Sequence, residues 1–128
     1  MIKERYCSFE VSKLLREKGF NESIYEFYDT SGFVSYARNK EGFRLSELGG
    51  VYYPHITHQM AMDWLRQVHK LHIEIYANAS GYKFIISKPG GDGTDLVTDV
   101  EGPNDGNAWD GYKDVVEAAL EFCLTELI

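Results

Sequence analysis

Four histidines fall into two pairs of equal spacing, His55-x2-His58 and His69-x2-His72, an arrangement that invites a zinc reading. The two pairs cannot pool their ligands. His58 and His69 lie eleven residues apart on what reads as one helix, about three turns or ~16 Å. Zinc–nitrogen bonds of roughly 2 Å do not span that distance. Either pair alone needs cysteine or carboxylate ligands from elsewhere in the chain, and their positions are not set by spacing. No metal and no cofactor is therefore assigned from the histidines.

The two cysteines, Cys7 and Cys123, suggest thiol chemistry only weakly. Cys7 stands just before a predicted helix, whose dipole would lower a thiol pKa. A nucleophile also wants a positioned base, and no histidine is tied to Cys7 by sequence. Cys123 falls on the apolar face of the closing helix and is expected in the core. There is no G-x-S-x-G elbow and no Walker loop, so no catalytic residue is named.

Gly90 to Asp95, GGDGTD, looks like the phosphate loop of diacylglycerol and NAD kinases. It also matches one calcium-binding nonapeptide of a parallel β-roll. The chain is too short for that kinase domain, and a β-roll binds calcium between tandem copies, of which there is one here. Asp92, Asp95 and Asp99 are candidate cation ligands, but EF-hand spacing is missing, and a solvated loop is the simpler reading. Tyr52, Tyr53 and Trp109, aromatic and close to loops, are the candidate interaction residues.

These groups must be positioned by a chain of 128 residues, enough for one domain (1–128) with a core that needs neither disulfide nor metal. Its charge is uneven: residues 1–88 sum to +2 and residues 89–128 to −9, giving −7. A strongly acidic third disfavours direct nucleic-acid binding, because phosphates need cationic partners. It suits solubility, a cation or a basic protein. No apolar run reaches membrane-spanning length, and the start MIKERYCSFE lacks an apolar signal core. The expected compartment is the cytoplasm, with both thiols reduced.

Ser8 caps a predicted helix over residues 8–18, stopped at Gly19, with Phe20 folding back on Leu15. Residues 22–29 and 33–38 read as a hairpin turning at Gly32, aromatic on both faces. Residues 43–45 and 51–53 are possible short strands, the second ended by Pro54. Thr57 caps the next helix, whose face is Met60, Ala61, Trp64, Leu65, Val68 and Leu71. A second hairpin alternates through Ile73, Ile75 and Ala77, then Tyr82, Phe84 and Ile86. Residues 96–100 suit a short strand. Asp110 is placed to cap a last helix carrying Tyr112, Val115, Val116, Ala119, Leu120, Cys123 and Leu127 inward.

Leu15-Arg16 repeats as Leu65-Arg66, and Ser31-Gly32-Phe33 as Ser80-Gly81-Tyr82, an offset of about fifty residues. Each match falls at the same place in a helix–hairpin unit. The expected fold class is α+β, ordered αββαββα. It has an antiparallel sheet of four or more strands, with helices packed mainly on one face.

Three segments carry a resemblance: CSFEVSKLLREKGF (7–20), PHITHQMAMDWLRQVHKLHIEI (54–75) and DGYKDVVEAALEFCLTELI (110–128). Together they resemble a family of small uncharacterised phage and mobile-element proteins of Bacteroides-type gut bacteria. The specific part is P-x-x-T-H-Q-M-A-x-x-W-L-R, from Pro54 to Arg66. The resemblance implies an accessory protein and carries over no activity or catalytic residue. The functional expectation is a non-enzymatic interaction protein with a protein partner, possible homo-oligomer formation, no nucleic acid and no membrane. The alternatives are a cation- or small-ligand-binding protein or enzyme using loop 90–105, and an acidic DNA mimic.

Overall fold

The computed structural model describes residues 2–90 and 95–128. Helix α1 is Phe9–Glu17. Ser8 caps it by accepting from the Val11 amide. It ends in a Schellman turn, with Phe20 N donating to Leu15 O at 2.9 Å and Gly19 N to Arg16 O at 3.1 Å. Strands β1 (Glu26–Tyr28) and β2 (Val34–Tyr36) form the first hairpin. Its turn is held by Asp29 Oδ1, which accepts from Ser31 N and Phe33 N, with Gly32 at φ +84°. A 3-10 turn, Leu45–Glu47, replaces the strand expected at residues 43–45, of which Phe43 keeps a single bridge to Ile24.

Strand β3 is Tyr53–Pro54; it pairs with β1 and so takes in the proline expected to end it. Pro54 is tolerated because it sits on an edge strand, where a missing N–H breaks no central ladder. Helix α2 runs His58–His69 from the Thr57 cap to Lys70, whose φ of 59° closes it in the left-handed conformation. Strands β4 (His72–Asn78) and β5 (Gly81–Ser87) pair Ile73 with Ile86 and Ile75 with Phe84. Strand β6 (Asp95–Val97) adds to β5, and α3 (Tyr112–Glu126) closes the chain.

The fold is α+β with three helices among the described residues. The single sheet of four or more strands is corrected. The described strands divide into two antiparallel sheets, ordered β2-β1-β3 and β4-β5-β6. Each hairpin recruits a local third strand instead of the other hairpin. Helix α3 packs on α1, α2, β4 and β5 and gathers the core between them.

Three details of the helix faces also change. Val68 is 50% exposed, while Met62 and Leu124 are buried. The buried arc of α2 is His58, Ala61, Met62, Trp64 and Leu65, which keeps Ala61, Trp64 and Leu65 of the predicted stripe and packs on both α3 and β4. Asp110 does not cap α3: its carboxylate accepts from Asn104 Nδ2 at 2.9 Å, and Gly111 takes the cap position. No helix of the described residues is long and apolar enough to cross a membrane.

Candidate functional site

The chain before α1 and the chain before α2 run side by side. Tyr6 bridges Thr57 in antiparallel sense, Cys7 N donates to Ile56 O at 2.8 Å, and His58 N donates to Arg5 O at 2.8 Å. Extended chains alternate their side chains between two sides. Tyr6, His55 and Thr57 therefore go outward, and Cys7, Ile56 and His58 go inward. The His55-x2-His58 pair is split by this parity, so its two imidazoles serve different places.

On the inner side, Cys7, His58 and Glu117 each bring one ligand-type atom within 4.8 Å of the others. They arrive from the segment before α1, from the first turn of α2 and from α3. His58 Nε2 lies 2.8 Å from Glu117 Oε2, which also accepts from Ser8 N at 3.2 Å. Cys7 Sγ has a long contact of 3.8 Å to Thr57 O, and Tyr28 donates its hydroxyl to Cys7 O at 2.9 Å. Cys7 and His58 are buried, while the Glu117 side chain keeps 19% of its surface in solvent. His58 Nδ1 is buried without a hydrogen-bond partner among the described residues.

The electrostatics follow from that burial. The Cys7 thiol is pushed well above its usual range, first by desolvation and then by the Glu117 carboxylate; a backbone hydrogen bond offsets part of this. The helix-dipole lowering expected from sequence is overturned, since desolvation of a thiolate outweighs a dipole. Burial alone would raise Glu117, but hydrogen bonds from His58 and Ser8 overcome it and hold this carboxyl below its ordinary value. Tyr28 is raised, chiefly by burial and then by Cys7 and Glu117. Left to itself, the cluster is a protonated thiol beside a carboxylate–imidazole bridge that ties α2 to α3.

On the outer side, Tyr6 stacks parallel on His55 at 4.3 Å, and Tyr28 meets the same imidazole edge-on at 4.7 Å. His55 Nδ1 lies 2.9 Å from Glu26 Oε2. Tyr6, His55 and Glu26 open on a cleft of about 380 Å³ that Tyr25, Ile56, Thr57 and Met60 also line. Glu26 and then burial raise the Tyr6 hydroxyl above its ordinary pKa, with smaller contributions from Glu4 and Tyr36. Mostly apolar walls around a few polar groups are the usual make-up of a binding cleft.

The residues singled out from sequence are not brought together. Tyr52 packs edge-on against Phe27 and Tyr53 edge-on against Phe9, while Trp109 lies tilted against Phe84 of the second sheet. All three are half-buried by these partners. Asp92 lies outside the described residues. Asp95 joins β6 through its backbone, and exposed Asp99 accepts from Thr98 at 3.1 Å. His69 is edge-on to Trp64 at 4.8 Å, and Cys123 is core as expected, its thiol pushed up to about 12 by burial.

Sequence reasoning missed Glu117, Glu26 and Tyr6. The available signals were a glutamate bordering the apolar arc of α3 and the extended tetrapeptide His55-Ile56-Thr57-His58, whose parity separates its two histidines. No family model, curated protein or solved structure matches this chain.

Proposed function

We propose that this protein is a non-enzymatic interaction module, an accessory protein of phage or mobile-element type. In this reading it binds an extended, basic segment of a partner protein across the open edge of the first sheet. One observation carries it: Phe33 is 72% exposed and Tyr36 68%, both on or beside edge strand β2. The register supports strand addition. Asp29 N donates to Phe33 O and Ala37 N to Tyr25 O, so Phe33, Ser35 and Ala37 turn their backbone toward β1. Val34 and Tyr36 turn theirs to the open edge, the geometry a partner strand uses.

The basic character of the partner rests on complementarity. Tyr36 shares a face of the hairpin with Glu26, whose carboxylate lines the adjoining cleft. Tyrosine faces and a carboxylate suit lysine or arginine side chains. The test is selection of a displayed random-peptide library on the immobilised protein. Peptides alternating apolar and basic residues should be enriched, and should bind Tyr36→Glu at least tenfold more weakly. Enriched peptides that ignore this substitution would overturn the reading. Self-association through β2, measured by sedimentation in the absence of peptide, would replace the partner by a second copy.

A further inference from the structure

We infer that Cys7, His58 and Glu117 form a zinc(II) site. The three donors come from three separate elements, within 4.8 Å of one another. They supply one thiolate, one imidazole and one carboxylate, a set that suits zinc better than calcium or magnesium. Charge fits as well as softness. A thiolate and a carboxylate neutralise a dication, so the occupied site carries no net charge into the interior.

The free donor atoms agree with an ion. His58 is more than nine-tenths buried, and its Nδ1, without a hydrogen-bond partner among the described residues, is free to carry the imidazole proton while Nε2 coordinates. The contact of Cys7 Sγ is the 3.8 Å approach to Thr57 O, which leaves the thiol free to coordinate. The protein donor atoms of a tetrahedral zinc, at bonds of 2.0 to 2.3 Å, lie roughly 3.3 to 3.8 Å apart. The cluster reaches that spacing by drawing Cys7 inward and opening the 2.8 Å His58–Glu117 contact. The exposed edge of the Glu117 side chain gives the ion its entry.

The proton balance is simple. Zinc displaces the thiol proton of Cys7, which leaves to solvent. The imidazole keeps its single proton, which moves from Nε2 to Nδ1 as Nε2 turns to the metal. One proton is released per ion, and no redox change is involved.

Calorimetric titration of zinc chloride into the chelator-stripped full chain, repeated in two buffers of different ionisation enthalpy, reads stoichiometry and proton release together. One zinc per chain and about one proton released near neutral pH are expected. Cys7→Ser and His58→Gln should each weaken zinc at least about a hundredfold. Cobalt(II) gives a readout that does not depend on variants folding: the wild-type chain should show a thiolate-to-metal charge-transfer band. Absence of that band overturns the site. So does zinc binding that is equally tight in wild type and Cys7→Ser, which would place the ion at surface histidines or the acidic loop.

Discussion

The two sides of the paired segments around Cys7 and His58 differ in what they leave unsatisfied. The inner side is largely buried, and its polar atoms are short of partners among the described residues: an unpaired imidazole nitrogen and a thiol with a single long contact. The outer side is open and its polar atoms are paired, yet it leaves aromatic surface in water. Unpaired buried polar atoms are costly, and exposed aromatic surface marks interaction sites. The same alternation that divides the two histidines thus divides the proposed ion site from the cleft beside the proposed polypeptide-binding edge.

The sharpest way to break that comparison is to treat the two histidines alike. His58→Ala leaves the half-buried Glu117 carboxylate with Ser8 N alone, and should destabilise the metal-free protein by about 3–5 kcal/mol in urea unfolding. His55→Ala removes a stacked ring and one hydrogen bond from the open side, and should cost about 1–2 kcal/mol. Equal losses would erase the distinction.

A pH series sharpens the interior half. Cys123 titrates near 9 when unfolded, but burial raises it to about 12 in the fold. Its contribution is complete below pH 9 and is lost as pH climbs from 9 toward 12, because the unfolded chain gives up that proton first. Unfolding free energy should therefore fall across that window. Cys123→Ala should make the fall shallower, the raised Cys7 thiol keeping the rest, while costing about 1–2 kcal/mol at neutral pH for the lost packing. An unchanged alkaline slope in this variant would contradict a buried, protonated thiol.

On the open side, Phe33→Ser and Tyr36→Ser should change stability by no more than about 0.5 kcal/mol, since neither side chain is packed. Both should weaken the selected peptides severalfold in fluorescence titration. A large stability loss would show that these rings support the fold rather than meet a partner.

Much of the local structure was legible in the sequence because it depends on neighbours. Ser8, Thr57 and Gly19 announce helix ends through their own chemistry, and Gly32 marks its turn. The division into two sheets was not legible, since strand length and alternation do not say which hairpin pairs with which. Nor was the buried cluster, whose His58–Glu117 contact joins residues 59 apart in sequence. His58 and Cys7 stood out by type, but Glu117 is one of ten acidic residues in the last third of the chain, and packing alone selects it. The cleft was hidden in the same way: Tyr6, Glu26 and His55 meet only once the segment before α1 lies beside the one before α2.

Residue-resolved amide hydrogen exchange, with and without a selected peptide, tests the account most directly. In the free protein the Val34 and Tyr36 amides, turned to the open edge, should exchange quickly, and the Ser35 amide, turned to β1, slowly. Saturating peptide should slow Val34 and Tyr36 at least tenfold and leave Cys7 and His58 unchanged. Unaltered exchange at Val34 and Tyr36, with new protection elsewhere, would contradict recognition at this edge.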